Sequence, residues 1–200
     1  MTASKIKTTL APGLLVSMPH LKDDPFARAV VLMIEHNENG SFGFILNQPN
    51  EVTVSTMLEL LDLTWYGNPK DSTWNGGPVM PESGWVLHEK TSVIVPKTMG
   101  LQDSLLLGES MDLGHDLHIT VSPEKLALLA QKPTERIRFL LGYSGWGKGQ
   151  LEHEISKGSW IHADINADMI FDVPAEKLWE ETLLSMGIQP QSLVSSTGVH

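Results

Sequence analysis

Four glycines crowd into Gly142 to Gly149, between an apolar run and a helical one, and this stretch constrains the fold more than any other. Upstream, Arg136 to Leu141 alternates charged and apolar residues and ends wholly apolar, the pattern of a strand entering a core. Downstream, Leu151 and Ile155 fall on one helix face. Glycine permits positive φ and close backbone approach, while Tyr143 and Trp146 are large enough to fold back over the chain. The expectation is a shaped turn between strand 136–141 and a helix, with the aromatics sealing the core.

Gly142 to Lys148 also has the spacing G-x-x-x-x-G-K of a phosphate-binding loop. Such a loop needs a Ser or Thr after the lysine to hold Mg²⁺, and Gly149 stands there instead. The two aromatics would also crowd the phosphates. A structural turn is the favoured reading, yet backbone donors at a helix start can still meet an anion. The ligand-binding candidates are therefore Gly142, Gly145, Trp146, Gly149 and Gln150, together with Asn47.

The run GYSGWGKGQLEHEI resembles the signature of the YqgE/AlgH family of bacterial proteins, which is close to G-Y-x-G-W-x-x-G-Q-L-E-x-E-I. Three further stretches match that family in the expected order. The first is Leu14 to Pro19 followed by Asp24-Pro25-Phe26, and the second is Glu35-His36-Asn37 leading to Gly40, Gly43, Asn47 and Pro49. The third is Gly76-Gly77-Pro78-Val79 followed by Leu87-His88. The resemblance covers nearly the whole chain and implies a family without an established biochemical activity. Family members often carry Arg or Lys where this chain has Gln48, so an anion site there has lost a charge.

With 200 residues and 41% hydrophobic content, the chain suffices for one domain or one domain carrying a smaller subdomain. The expected fold is α+β: a mixed central β-sheet flanked by helices, with a smaller two-layer α/β subdomain inserted. The main part is 1–65 plus 134–200, and the insertion is 66–133. Strands are expected at 14–17, 29–34, 41–46, 85–88, 92–95, 104–107, 117–121, 136–141, 160–163 and 169–171, with a turn at 111–115. Helices are expected at 56–63, capped by Thr56 and Glu59, from Ser122-Pro123-Glu124, after the glycines, and at 174–186. The first nine residues and those beyond Leu193 should be loosely held.

The net charge of −10 disfavours nucleic acid, and the absence of cysteine excludes disulfides and thiolate sites. Lys5 and Lys7 precede an apolar stretch that Pro12 and Gly13 interrupt, and no apolar run is long enough to span a membrane. A cytoplasmic protein is expected, with no membrane association and no cofactor.

Glu35 and His36 at a strand end, with His88 from another strand, are the catalytic candidates: they could converge for acid/base work, or hold loop backbone. No metal site is expected. His115 and His118 lack helical support, and His153-Glu154 is followed by Lys157 where H-E-x-x-H needs histidine. Ser144 lacks a nucleophile elbow because Trp146 replaces its final glycine. Glu152 and Glu154 read as helix-dipole partners and loop anchors. With no complete catalytic motif, ligand binding or regulation by protein contact leads, the partner being an unknown protein or small molecule. A small hydrolase acting on an anionic or phosphorylated metabolite is the alternative, and a transcriptional regulator the second alternative.

Overall fold

The computed structural model describes residues 9–21, 25–89, 110–121, 123–133 and 136–195. Its frame is a curled, mostly antiparallel sheet with a few helices, an α+β architecture. The strands are β1 (Gly13–Ser17), β2 (Val30–Asn37), β3 (Gly40–Ile45), β4 (Pro49–Thr53), β5 (Ser72–Asn75), β6 (Val79–Glu89), β7 (Ser110–Gly114), β8 (Leu117–Thr120), β9 (Ile137–Gly147) and β10 (Trp160–Ala163). Along the main path they run β10-β1-β2-β3-β9-β6-β8-β7, every neighbouring pair antiparallel. β4 and β5 lie off that path, and β5 pairs with β9 in parallel. Strands 29–34, 41–46 and 136–141 do share one sheet.

β2 is buried from Val30 to Ile34 because both faces of the sheet are covered there. Its even positions join Leu14, Val16 and Phe44 in one cluster, and its odd positions join Leu15, Trp146 and Trp160 in a second. The first face is covered by α4 (Ala167–Asp172), α5 (Ala175–Ser185) and α6 (Pro190–Ser195), through Ile170, Leu178, Trp179 and Leu183. The Trp179 indole donates to Ser17 O at 2.8 Å and pins α5 to β1. The second face is covered by α3 (Gln150–Ser156), with Leu151 beneath it. A third cluster joins Val54 and Leu58 of α1 (Val54–Glu59) and Leu129 and Ala130 of α2 (Pro123–Gln131) to Val86 and Phe139.

The glycine stretch is not a loop: β9 continues through it to Gly147, leaving Lys148-Gly149 as the turn into α3. The reason is a backbone crossing. A Cβ on Gly142 (φ 68°) would sit 2.5 Å from Gly77 O, and one on Gly77 would sit 2.3 Å from the Tyr143 carbonyl carbon. β9 pairs with β5 at Leu140–Leu141, before this crossing, and with β3 at Ser144–Gly147, beyond it.

Other local expectations shift. Residues 169–171 lie in α4, whose cap Asn166 accepts from Met169 N, so they are helical and not a strand. Thr53, three residues before Thr56, caps α1 by accepting from Thr56 N. Residues 111–114 belong to β7, and the turn is His115-Asp116, both at positive φ. Helix α6 extends to Ser195, beyond the expected end of order. The strand candidates 92–95 and 104–107 lie outside the described residues, as do 1–8 and 196–200.

Candidate functional site

The start of α3 forms a brace. Glu154 accepts from the Trp146 indole at 2.9 Å, the Trp160 indole at 2.8 Å and the Gln150 amide at 2.9 Å. Phe26 stacks on Trp146 with centroids 5.9 Å apart and meets Trp160 edge-on at 5.3 Å. Gln150 Oε1 accepts from Gly147 N at 3.0 Å, and Gly149 supplies the left-handed turn at φ 73°. Trp146 is buried, whereas Lys148 is exposed. These groups therefore fasten the strand-to-helix turn by their own hydrogen bonds, and Gly147 N is already taken by Gln150.

The structure does not bring His88 to the Glu35–His36 pair. His36 lies on β2 beside Ser41, which pairs with Trp146 of β9, while His88 pairs with Ile137 of β9. These points on β9 are about 30 Å apart at the usual strand rise. His36 uses both ring nitrogens: Nδ1 accepts from Leu10 N at 3.1 Å and Nε2 meets Glu152 Oε1 at 3.2 Å. His88 is buried, donates from Nδ1 to Glu89 O at 2.8 Å, and stacks on His118 with centroids 5.7 Å apart. Burial pushes His88 down to about 4, partly countered by its bond to the Glu89 carbonyl, with Lys125 and His118 pushing it lower. Nε2 of both rings is buried and has no hydrogen-bond partner among the described residues.

Asn47 is a backbone clasp, accepting from Val30 N at 2.9 Å and donating to Arg28 O at 2.8 Å. Arg138, which the sequence reading passed over, is buried in β9 and lines a cavity of about 580 Å³. It donates to Leu46 O and Ile170 O and stacks on Trp74 at 4.0 Å, tying β3 and the end of α4 to the sheet. Burial lowers it to about 10, so it stays a cation at neutral pH. The signal for it was a charge set within an apolar strand.

An open cleft of about 730 Å³ collects the remaining candidates. Glu35 and Gly145 line it, the Trp146 position borders it, and Phe42, Trp85 and Tyr143 supply its aromatic lining. Cross-strand register sets Glu35 opposite Phe42 and Phe42 opposite Gly145, so these three share one face. Phe42 packs on Tyr143 at 6.0 Å and on Trp85 at 6.2 Å, and all three rings are half-buried. Of these rings only Tyr143 lay in a stretch marked by the sequence. Phe42 and Trp85 looked like ordinary strand residues, because their meeting depends on the pairing of three strands, β3, β9 and β6. Elsewhere an apolar groove of about 450 Å³ runs along α1, where Leu60 is 82% exposed and Leu61 55%.

Among the described residues no group of three or more His, Cys, Asp or Glu could hold a metal ion, and no helix is long and apolar enough to cross a membrane.

A family model described as AlgH-like matches residues 14–191. A UPF0301 protein of Myxococcus xanthus is 38% identical over 192 residues, spanning 96% of this chain and 98% of its own. One from Cytophaga hutchinsonii is 40% identical over 177 residues, spanning 87% and 88%. Among solved structures, that of the AlgH protein from Pseudomonas aeruginosa is similar along all of both chains, with a TM-score of 0.71 and 30% identity. A Corynebacterium diphtheriae protein has a TM-score of 0.65 at 22% identity, covering 95% of this chain and 92% of its own, a likeness of fold alone.

Proposed function

The chain belongs to the AlgH-like family, and on that premise we propose that it is a cytoplasmic binding protein that takes a small molecule into the cleft over Phe42, Gly145 and Tyr143. One observation carries the reading: three of the four stretches that mark the family resemblance meet there, through Glu35, Val79 and Gly145. Concave, largely apolar sites with a few polar groups at the edge are the usual form of a ligand pocket. Regulation then follows from occupancy, with no reaction required of the protein.

The hydrolase alternative gains less support. His36 has both nitrogens engaged, and His88 lies too far along the sheet to act with Glu35. A regulator bound to DNA would need a basic surface to offset the net charge of −10. Contact with another protein keeps a specific observation in its favour, the exposed Leu60 and Leu61 beside the α1 groove.

A thermal-shift screen of metabolites against the intact chain and against Gly145→Leu tests the cleft. A ligand that stabilises the parent chain should lose its effect when leucine fills the space over β9. Ligands that stabilise both proteins equally would place binding elsewhere.

A further inference from the structure

We propose that the ligand of this cleft is an organic cation, a protonated amine carried on a flat apolar body. The inference rests on the reading of the cleft as a binding site and adds the chemistry of its occupant.

The first support is the notch at Gly145. Its φ lies outside the left-handed range, and the nearest neighbours of a Cβ built on it would be the Tyr143 ring at 3.4 Å and a Val79 methyl at 3.8 Å, both ordinary contacts. Gly142 is different, because its Cβ would strike backbone. Glycine at 145 is thus not demanded by the chain's own packing. The missing side chain leaves a notch on β9 beside Phe42 of the neighbouring strand, with the Tyr143 ring lying against its other side. A flat group can settle there.

The second support is the lining. Phe42 and Tyr143 stand at 76° to each other, and Phe42 and Trp85 at 44°, so the three rings that line the cleft are inclined to one another and not stacked. Ring faces attract cations as well as apolar surface. Among the described residues Glu35 is the one charged residue that lines the cleft, and none of those lining it is lysine or arginine. The Asn37 amide donates to Glu35 Oε1, and Oε2 has no partner among the described residues. An anionic ligand would therefore meet a carboxylate and ring faces, both of which repel it. Glu35 lies two strands from Gly145, roughly 10 Å at the usual strand spacing. That span suits one ring system with a short tether to its amine.

Three probes of matched shape test this by calorimetry at neutral pH: tryptamine (cationic), 3-methylindole (neutral) and indole-3-acetate (anionic). Tryptamine should bind at least about tenfold more tightly than indole-3-acetate, and Glu35→Gln should weaken tryptamine about tenfold while leaving 3-methylindole unchanged. Gly145→Leu, with its fold verified by circular dichroism, should abolish binding of all three. Indole-3-acetate binding as well as tryptamine, or tryptamine indifferent to Glu35→Gln, would overturn the cationic class and leave the cleft reading standing. Unchanged tryptamine binding to folded Gly145→Leu would overturn both. Failure of all three probes to bind at millimolar concentration would also overturn the proposal. Glu35→Gln alters an exposed side chain, so it reads the charge even if Gly145→Leu fails to fold.

Discussion

Replacing Glu154 with leucine removes the carboxylate that both Trp146 and Trp160 use, at 2.9 and 2.8 Å. The two indoles are 5% and 3% exposed, so their N–H groups have no ready access to water once that acceptor is gone. A hydrogen bond to a charged group contributes about 1.5–3 kcal/mol, and two bonds sharing one oxygen are not additive. The expected cost is about 3–5 kcal/mol, read by urea denaturation with far-UV circular dichroism. For a chain of this length it corresponds to a fall in Tm on the order of 10 °C. Glu152→Ala, which removes only an exposed contact to His36, should cost at most about 1 kcal/mol. Adding Trp146→Phe and Trp160→Phe to Glu154→Leu should cost less than the sum of Glu154→Leu and the paired phenylalanine changes measured separately, because the indole N–H groups that lost their acceptor are then gone. If Glu154→Leu alone falls within about 0.5 kcal/mol of the parent, or the combined cost equals that sum, the carboxylate does not brace the indoles.

His88 has a folded value of about 4 against an ordinary 6.5, so the fold prefers its neutral ring. The stability this gives is complete above pH 6.5 and drains away as pH falls from 6.5 toward 4, while the unfolded chain takes up the proton. The loss should be roughly 2–3 kcal/mol, below the full 1.36 kcal/mol per unit because solvent screens part of the charge. Denaturation curves for His88→Gln should lack that part of the slope, and an unchanged slope would refute it. Arg138→Met leaves the Leu46 and Ile170 carbonyls without their donor and should cost about 2–4 kcal/mol in the same assay; a loss under 0.5 kcal/mol contradicts the tie. Gly142→Ala should cost more than about 3 kcal/mol, because its Cβ would strike Gly77 O, whereas Gly149→Ala, facing open space at positive φ, should cost about 1 kcal/mol. Equal costs would mean that the crossing does not require glycine.

The apolar run of β2 announced a strand covered on both faces, and the clean spacing of 174–186 announced a helix on the sheet. Both patterns are local and carry their own period. The six residues of α4 are too few to display a helical period, so 169–171 read as a strand. Gly142 to Gly149 held enough glycine for a loop, but its use is set by Gly76-Gly77 from elsewhere in the chain, which the spacing could not reveal. The catalytic grouping depended on His88 meeting Glu35, and register alone decides that distance. The cleft was half legible: Glu35 and Gly145 were marked in advance, while Phe42 and Trp85 join them only through long-range pairing.

The most direct test follows backbone amide resonances of the isotopically labelled chain as tryptamine is added. Binding in the cleft predicts that the shifts gather at Gly40–Phe42, Val79–Met80 and Tyr143–Gly145, on three strands joined only by the sheet. Shifts confined to Met57–Leu63 and Thr120–Val121 along the α1 groove, with the cleft silent, would contradict the account and move the functional surface to that groove.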